Sequence, residues 1–408
     1  MQSDGPAREC DVVVVGAGIL GLATARELAL RHDGMRVTVL DREPGIAAHQ
    51  TSHSSGVIHA GIYYEPGSLK ARLCVAGAAE LYEYCAERGV DARRAGKLIV
   101  ATSPDELAGL AELERRGAAN GVQGLRRVDP REIREIEPHV VATAGLHSPN
   151  TGVTDFARVA GAYAADLERG GGSVRTGVAV KRIEESGRGV SVIHGCGTTG
   201  ARAAVVCAGA WSDRLARAAG AEDEPRIVPF RGGYLRLRSE RSSLVRASVY
   251  PVPDPELPFL GAHLTRGSDG VVLLGPSALI VGARDAYRPA RLRAADLRDT
   301  LGWPGTWRLL ARFWRTGLTE LRRTASKRAF VAEAQRFVPS LSPDDFVAGP
   351  AGIRAQAVAR DGSLVDDFVV SQTERSLYVR NAPSPAATSS LPLARLIADR
   401  LEPLLDGK

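Results

Sequence analysis

A run of four valines, Val12-Val13-Val14-Val15, leads straight into Gly16-Ala17-Gly18-Ile19-Leu20-Gly21, and no other feature limits the fold as tightly. An unbroken β-branched run suits a strand buried on both faces of a parallel sheet. Helix formers with apolar spacing fill Leu22 to Leu30, and Arg36 to Leu40 reads as a second strand ending at Asp41. In such a unit Gly16 permits the tight turn, Gly18 lets the backbone approach a pyrophosphate, and Gly21 lets helix and strand pack closely. The helix N-terminus adds N–H groups and partial positive charge for the phosphates. Asp41, 20 residues beyond Gly21 and followed by Arg42, is placed to accept hydrogen bonds from ribose hydroxyls. Its charge argues against the 2′-phosphate of NADP, whereas the motif alone leaves FAD and NAD both open.

The composition fits a soluble globular chain. Of 408 residues, 44% are apolar and 25% charged, enough for one large or two interlocked cores. The net charge of +6 comes almost wholly from arginine, because only five lysines occur. No basic block is interleaved with aromatics, so nucleic acid is not an expected partner. Five cysteines without CxxC spacing indicate neither a zinc site nor a disulfide framework, and no metal is expected. The apolar stretch Val12 to Ala25 is too short to span a bilayer and lacks a basic flank before it, which gives a cytoplasmic expectation.

Further strands are expected at Gly96 to Ala101, Ser173 to Ile183, Ala203 to Ala208 and Leu377 to Val379, with helices at Asp105 to Ala119, Phe156 to Glu168 and Leu391 to Leu401. Residues 226–279 alternate apolar with polar and carry several prolines, the pattern of an antiparallel sheet with irregular turns. Residues 291–337 read as helical. The expected fold is therefore α/β, a Rossmann-like cofactor domain with a second, mixed or antiparallel β-sheet substrate domain. The cofactor domain is read as discontinuous, from 1–90, 151–225 and 346–408, and the substrate domain from 91–150 and 226–345.

Cys207-Ala208-Gly209-Ala210-Trp211-Ser212 has the form of a second glycine turn. Gly352 to Gln356 and Asn381 to Ser389 occupy the place of late cofactor-contacting loops, rich in small residues. Together with Ser55-Gly56-Val57-Ile58-His59-Ala60-Gly61-Ile62-Tyr63-Tyr64, Val228-Pro229-Phe230-Arg231-Gly232 and Tyr250-Pro251-Val252-Pro253-Asp254, these segments carry a resemblance. The chain resembles the L-2-hydroxyglutarate oxidase and dehydrogenase family of the D-amino-acid-oxidase-like flavoproteins, from about residue 11 to residue 400. The resemblance implies FAD, oxidation of a small 2-hydroxy acid to the 2-oxo acid, and oxygen or a quinone chain as electron acceptor. For the cofactor it implies contacts from Thr51, Ser52, His53, Ser55, Gly56, Val178, Gly209, Trp211, Gly352, Arg354, Ser384, Ala386, Ala387 and Thr388. Gly233, Ser277, Gly282 and Ala283 depart from the family pattern by losing charge and bulk, which predicts an altered substrate. Another alcohol, such as a polyol or sugar, or an amine is the alternative.

Flavin oxidation of an alcohol needs a base for the hydroxyl proton and donors for the carboxylate. His59, in its Gly/Ser-rich turn, and His263, on a predicted strand, are the candidate bases, with His53 as competitor. Arg354 offers a guanidinium fork for a carboxylate, or a flavin contact instead. Tyr63, Tyr64, Tyr250 and Arg266 are further substrate candidates. Trp307, Phe313 and Trp314 lie in an arginine-rich helical stretch, which suggests a peripheral membrane contact.

Overall fold

The computed structural model describes residues 9–254 and 261–406. The chain divides into two compact units, one of Met1–Ser52, Phe156–Val228 and Ala355–Lys408, the other of His53–Asp155 and Pro229–Arg354.

The first unit is built on a six-stranded sheet. Val12–Val15 pairs in parallel with Val37–Leu40 on one side and Ala203–Val206 on the other. Ser173–Arg175 extends the sheet beyond Val37–Leu40, and Ser376–Asn381 beyond Ala203–Val206, both in parallel. Only Val369–Gln372, at one edge, is antiparallel. All four valines of the first strand are buried, as expected of a strand covered on both faces. Helix Ile19–Arg31 packs against helices Phe156–Arg169 and Ser390–Asp406. A three-stranded antiparallel sheet, Val180–Ser186, Gly189–His194 and Gly197–Ala201, shares a core with Val13, Val15, Ala204 and Val206.

The second unit carries a larger, mixed sheet. Its strand order is Leu279–Ile280, Arg226–Leu237, Val272–Gly275, His263–Arg266, Ser248–Pro251, Lys97–Ala101, Ala144–Ser148 and Arg126–Val128. Strand alternation sorts its side chains. Leu98, Val100, Val249, Leu264 and Leu274 turn to one face and pack with Phe330, Val331 and Ala334 of helix Lys327–Gln335. Ile99, Ala101 and Tyr250 belong to a second cluster, completed by Ile62, Leu110 and Leu113. Lys97, His263 and Thr265 follow the same alternation as Ile99 and Tyr250, away from the first cluster.

Three expectations need correction. Ser173 to Ile183 is two strands in different sheets, because Gly177, at φ 72°, turns the chain between them. The helical stretch is four helices, Ala294–Leu301, Pro304–Arg312, Trp314–Ala325 and Lys327–Gln335, with Pro304 opening the second and the Ser326 side chain capping the fourth. Residues 53–90 belong with the second unit, not the first. Val57–Ile58 and Ala92–Arg93 both pair with Gly152–Thr154, and Tyr82 Oη donates to the Asn150 carbonyl at 3.1 Å, so this segment is tied to chain that follows it. The boundaries also place 151–155 and 346–354 in the second unit and 226–228 in the first.

Candidate active site: a glycine cradle and a buried cationic cluster

The first unit's candidate site forms where Val12–Val15 meets helix Ile19–Arg31. Gly16 has φ 110°, open to glycine and strained for other residues. A Cβ there would overlap the Cys207 carbonyl oxygen and lie 2.9 Å from its carbon, so the two glycine turns of the sequence touch. Gly18 is the N-cap of the helix and receives no side-chain capping bond, and the first turn contains no acid. The Thr51 hydroxyl accepts from the Ile19 amide at 3.0 Å, which makes Thr51 a brace of this helix start. Asp41 accepts from the Ala17 amide at 2.6 Å and from the Glu43 amide at 2.8 Å, fixing its carboxylate beside the turn.

Around this cradle the other first-unit candidates take definite places. Arg42 lies 3.5 Å from the Trp211 ring and donates to Glu43 at 2.8 Å. His49 also bonds Glu43 at 2.8 Å. Burial opposes ionisation of Glu43, but the His49 and Arg42 hydrogen bonds prevail and hold its pKa below the usual range. The Val178 amide donates to the Asp41 carbonyl at 2.7 Å, and the Val178 side chain is buried. Gly209, at φ 52°, leaves room for the Gln50 side chain. Ser52 is exposed and donates to the His49 carbonyl. Ser384, Ala386, Ala387 and Thr388 form the loop that leads into helix Ser390–Asp406, with Thr388 buried at its end. A glycine turn, a helix start with a glycine N-cap and no acid, and a fixed carboxylate at the next strand's end fit the diphosphate and ribose of a dinucleotide.

The second unit's candidate site lies on its mixed sheet and the loop after Val57–Ile58. Alternation places Lys97, Tyr250 and His263 on one face of three neighbouring strands. His263 stacks on Tyr250 with ring centroids 3.8 Å apart, and its Nδ1 bonds the Gly261 carbonyl at 2.8 Å. A carbonyl only accepts, so Nδ1 carries the proton and Nε2 the lone pair. Burial, followed by the charges of Lys97 and Arg354, brings the His263 pKa down to about 3. His59, half-buried, is also held well below the usual histidine range, first by burial and then by Lys97, His263 and Lys70. Lys97 Nζ sits 3.9 Å from the Tyr250 ring centre and 5.1 Å from that of Tyr63. Only 1% of Lys97 is exposed, and burial lowers its pKa to about 7.

Loop 59–64 is pinned from behind. Asn120 Nδ2 donates to the Gly61 and Tyr64 carbonyls at 2.9 Å each, and Cys74 Sγ lies 3.3 Å from the His59 carbonyl. Lys70, buried, lies over the Tyr64 ring at 5.0 Å. His53 stacks on Tyr287 at 4.0 Å and bonds the Ala351 carbonyl, while a Cβ on Gly352 would meet the His53 carbonyl oxygen at 2.6 Å. Gly56, at φ 71°, has the same close relation to the Thr154 carbonyl, and Ser55 beside it is half-buried. Arg266 is not brought to the cluster. Its guanidinium donates to the Ser242 and Val245 carbonyls at 3.0 and 2.9 Å, a structural tether.

Sequence reasoning gave no role to Lys97 or Lys70. A lysine opening an otherwise apolar strand, Lys97-Leu98-Ile99-Val100-Ala101, was the available signal. Of the four positions expected to depart from the family pattern, Gly233 and Ser277 bond each other. The Gly233 amide donates to Ser277 Oγ at 3.0 Å, and the Ser277 amide returns a bond to the Gly233 carbonyl. Leu292 and Leu297 fill the space a side chain at Gly282 would take, and Ala283 is fully buried with Ala286 and Ile353.

The sequence model of the DAO family, described as FAD dependent oxidoreductase, matches residues 11–400. The chain is 47% identical to L-2-hydroxyglutarate dehydrogenase, mitochondrial, of Nematostella vectensis, over 97% of this chain and 91% of that one. It is 44% identical to the Homo sapiens protein of the same name, over 96% and 88%. Among solved structures, the FAD-bound L-alpha-glycerophosphate oxidase of Mycoplasma pneumoniae superposes with a TM-score of 0.78 at 23% identity, over 98% of this chain and 95% of that one, a likeness of fold.

Proposed function

The chain belongs to the DAO family of FAD-dependent oxidoreductases, and from that premise we propose that it oxidises L-2-hydroxyglutarate to the 2-oxo acid. The carrying observation is the cluster on the second unit, where neutral imidazoles sit among cations and, among the described residues, no carboxylate acts on Lys97 or His263. A hydroxy dicarboxylate brings the two negative charges that such a cluster lacks. FAD, when bound, supplies the two-electron acceptor for the carbinol hydride.

In this reading the first unit holds FAD, with its pyrophosphate at Gly16–Gly21 and a ribose at Asp41. The second unit holds the hydroxy acid. His59 takes the hydroxyl proton, because it is neutral yet keeps some accessible surface, whereas His263 is sealed against Tyr250 and the Gly261 carbonyl. His263 orients, and its fixed tautomer offers Nε2 as an acceptor. The Arg354 fork takes the carboxylate next to the carbinol. Anaerobic mixing with L-2-hydroxyglutarate should bleach the flavin rapidly. Bleaching only by a polyol, sugar or amine would overturn the assignment.

For the final electron acceptor we propose a membrane quinone, reached by docking on an anionic bilayer surface. Trp307, Leu310, Trp314, Leu318 and Leu321 are exposed on helices Pro304–Arg312 and Trp314–Ala325, beside the exposed Arg308, Arg312, Arg315 and Arg322. Apolar side chains flanked by arginines match an acyl–headgroup boundary. No helix of the described residues is long and apolar enough to cross a membrane. Five free cysteines suit a reducing compartment, and we assign the cytoplasm.

A further inference from the structure

We infer that Lys97, together with the Tyr63 hydroxyl, holds the second carboxylate of a dicarboxylic hydroxy acid and thereby sets a preference for dianionic over monoanionic substrates. This rests on the reading above, in which Arg354 takes the first carboxylate.

The argument begins with an unmet demand. Lys97 is 1% exposed, and among the described residues no hydrogen bond or ion pair reaches its ammonium, only the Tyr63 and Tyr250 rings. Ring faces attract the charge but leave its three N–H donors without acceptors. The Tyr63 hydroxyl is likewise buried without a partner. Two orphaned donors beside the same rings are costly unless a ligand completes them. A carboxylate can accept from both at once.

Position supplies the second argument. His263 is under the influence of both Lys97 and Arg354. His263 thus feels two cations, and a 2-hydroxy dicarboxylate carries one carboxylate for each. Among the described residues, no acidic side chain acts on Lys97 or His263. The groups that face Lys97 from packed elements are Lys70 and Cys74 of helix Leu69–Arg88, His59 and Tyr63 of the loop, Tyr250 and His263 of the neighbouring strands, and, beyond His263, Arg354. Burial keeps the Cys74 thiol and both tyrosine hydroxyls protonated.

The sign of the pH dependence follows. An anion stabilises the charged lysine, so binding favours the protonated form, which predominates below about pH 7 and is lost above it. Glutarate, a non-reacting dicarboxylate, should therefore bind the wild-type holoenzyme with a Kd that weakens about tenfold per pH unit above about 7. Perturbation of the flavin absorbance reads this Kd without turnover. A Kd independent of pH from 6 to 9 would overturn the inference (roughly one unit below and two above the lysine midpoint).

The substrate test uses Lys97→Met holoenzyme. In its anaerobic flavin reduction, the rate with L-2-hydroxyglutarate relative to that with L-2-hydroxypentanoate, which lacks the second carboxylate, should fall roughly 10²-fold. Equal losses with both acids would refute the assignment. Should the variant fail to fold, the wild-type glutarate profile still decides. If wild-type flavin is bleached by neither acid, the substrate reading fails separately, and the glutarate profile continues to judge Lys97.

Discussion

Replacing Gly21 by alanine should separate two kinds of glycine in the cradle when set beside the same change at Gly18. A Cβ on Gly21 overlaps the Gly16 carbonyl oxygen outright and stands 3.1 Å from its carbon and 3.3 Å from Cys207 Cβ. The Gly16 atoms are backbone and cannot swing aside like a flexible side chain, so the helix must move away from the sheet. Its far side is already occupied by helices Phe156–Arg169 and Ser390–Asp406, against which Leu22 and Leu28 are fully buried. Overpacking without an escape route costs about 3 kcal/mol. For a unit of this size that corresponds to a fall in Tm of about 6–12 °C. A Cβ on Gly18, in contrast, meets only Thr51 Oγ1, at 3.4 Å, an ordinary contact. Gly18→Ala should cost the apoprotein about 1 kcal/mol at most, through a poorer N-cap, yet weaken FAD binding by blocking backbone approach to the pyrophosphate. The assays are thermal unfolding of flavin-stripped protein and titration with FAD. Equal Tm losses in the two variants would refute the packing argument, and wild-type FAD affinity in Gly18→Ala would refute the role of Gly18.

Three further outcomes follow from the site. His59→Ala with flavin retained should slow flavin reduction by roughly 10²–10⁴-fold, and His263→Ala by less; the reverse order would move the base to His263. Because the imidazoles titrate far below the usual histidine range, reduction by substrate should keep its rate as pH falls through 6.5, and an acid limb near 6.5 would contradict their burial. Arg354→Lys should raise KM for L-2-hydroxyglutarate about tenfold or more through loss of the fork, and an unchanged KM would remove Arg354 from the carboxylate. Trp307→Ser with Trp314→Ser should abolish co-sedimentation with anionic vesicles while leaving flavin bleaching intact; undiminished sedimentation would dismiss the surface.

Local chemistry made the cradle legible. The turn glycines, the buried valines and Asp41 are specified by neighbours within a single βαβ unit, and the differences there lie at element ends: the helix is Ile19–Arg31, directly after the Gly18 N-cap, and the second strand begins at Val37. The substrate side was harder because its members come from far apart in the chain. Lys97 looked like the polar edge of a strand until pairing with Ser248–Pro251 put Tyr250 and His263 around it. Arg266 had the right chemistry for an anion, but its carbonyl partners lie 24 and 21 residues earlier, in a turn that no short-range pattern announces. The unit boundaries at Ser52 and Asp155 differ from those read at 90 and 151, because the pairing of Val57–Ile58 with Gly152–Thr154 spans nearly a hundred residues.

The strand order of the first unit has a consequence for synthesis. Ala203–Val206, near the middle of the parallel sheet, is flanked by Val12–Val15 and by Ser376–Asn381. While the ribosome is still making the chain, the first strands can pair, but Ala203–Val206 presents a bare apolar edge until Ser376–Asn381 has emerged. Helix Ile19–Arg31 likewise waits for Ser390–Asp406 to cover it. Nascent or prematurely terminated chains therefore expose an adhesive strand edge from the synthesis of Ala203–Val206 until that of Ser376–Asn381. They should depend on chaperones in proportion to how long the last few dozen residues are delayed.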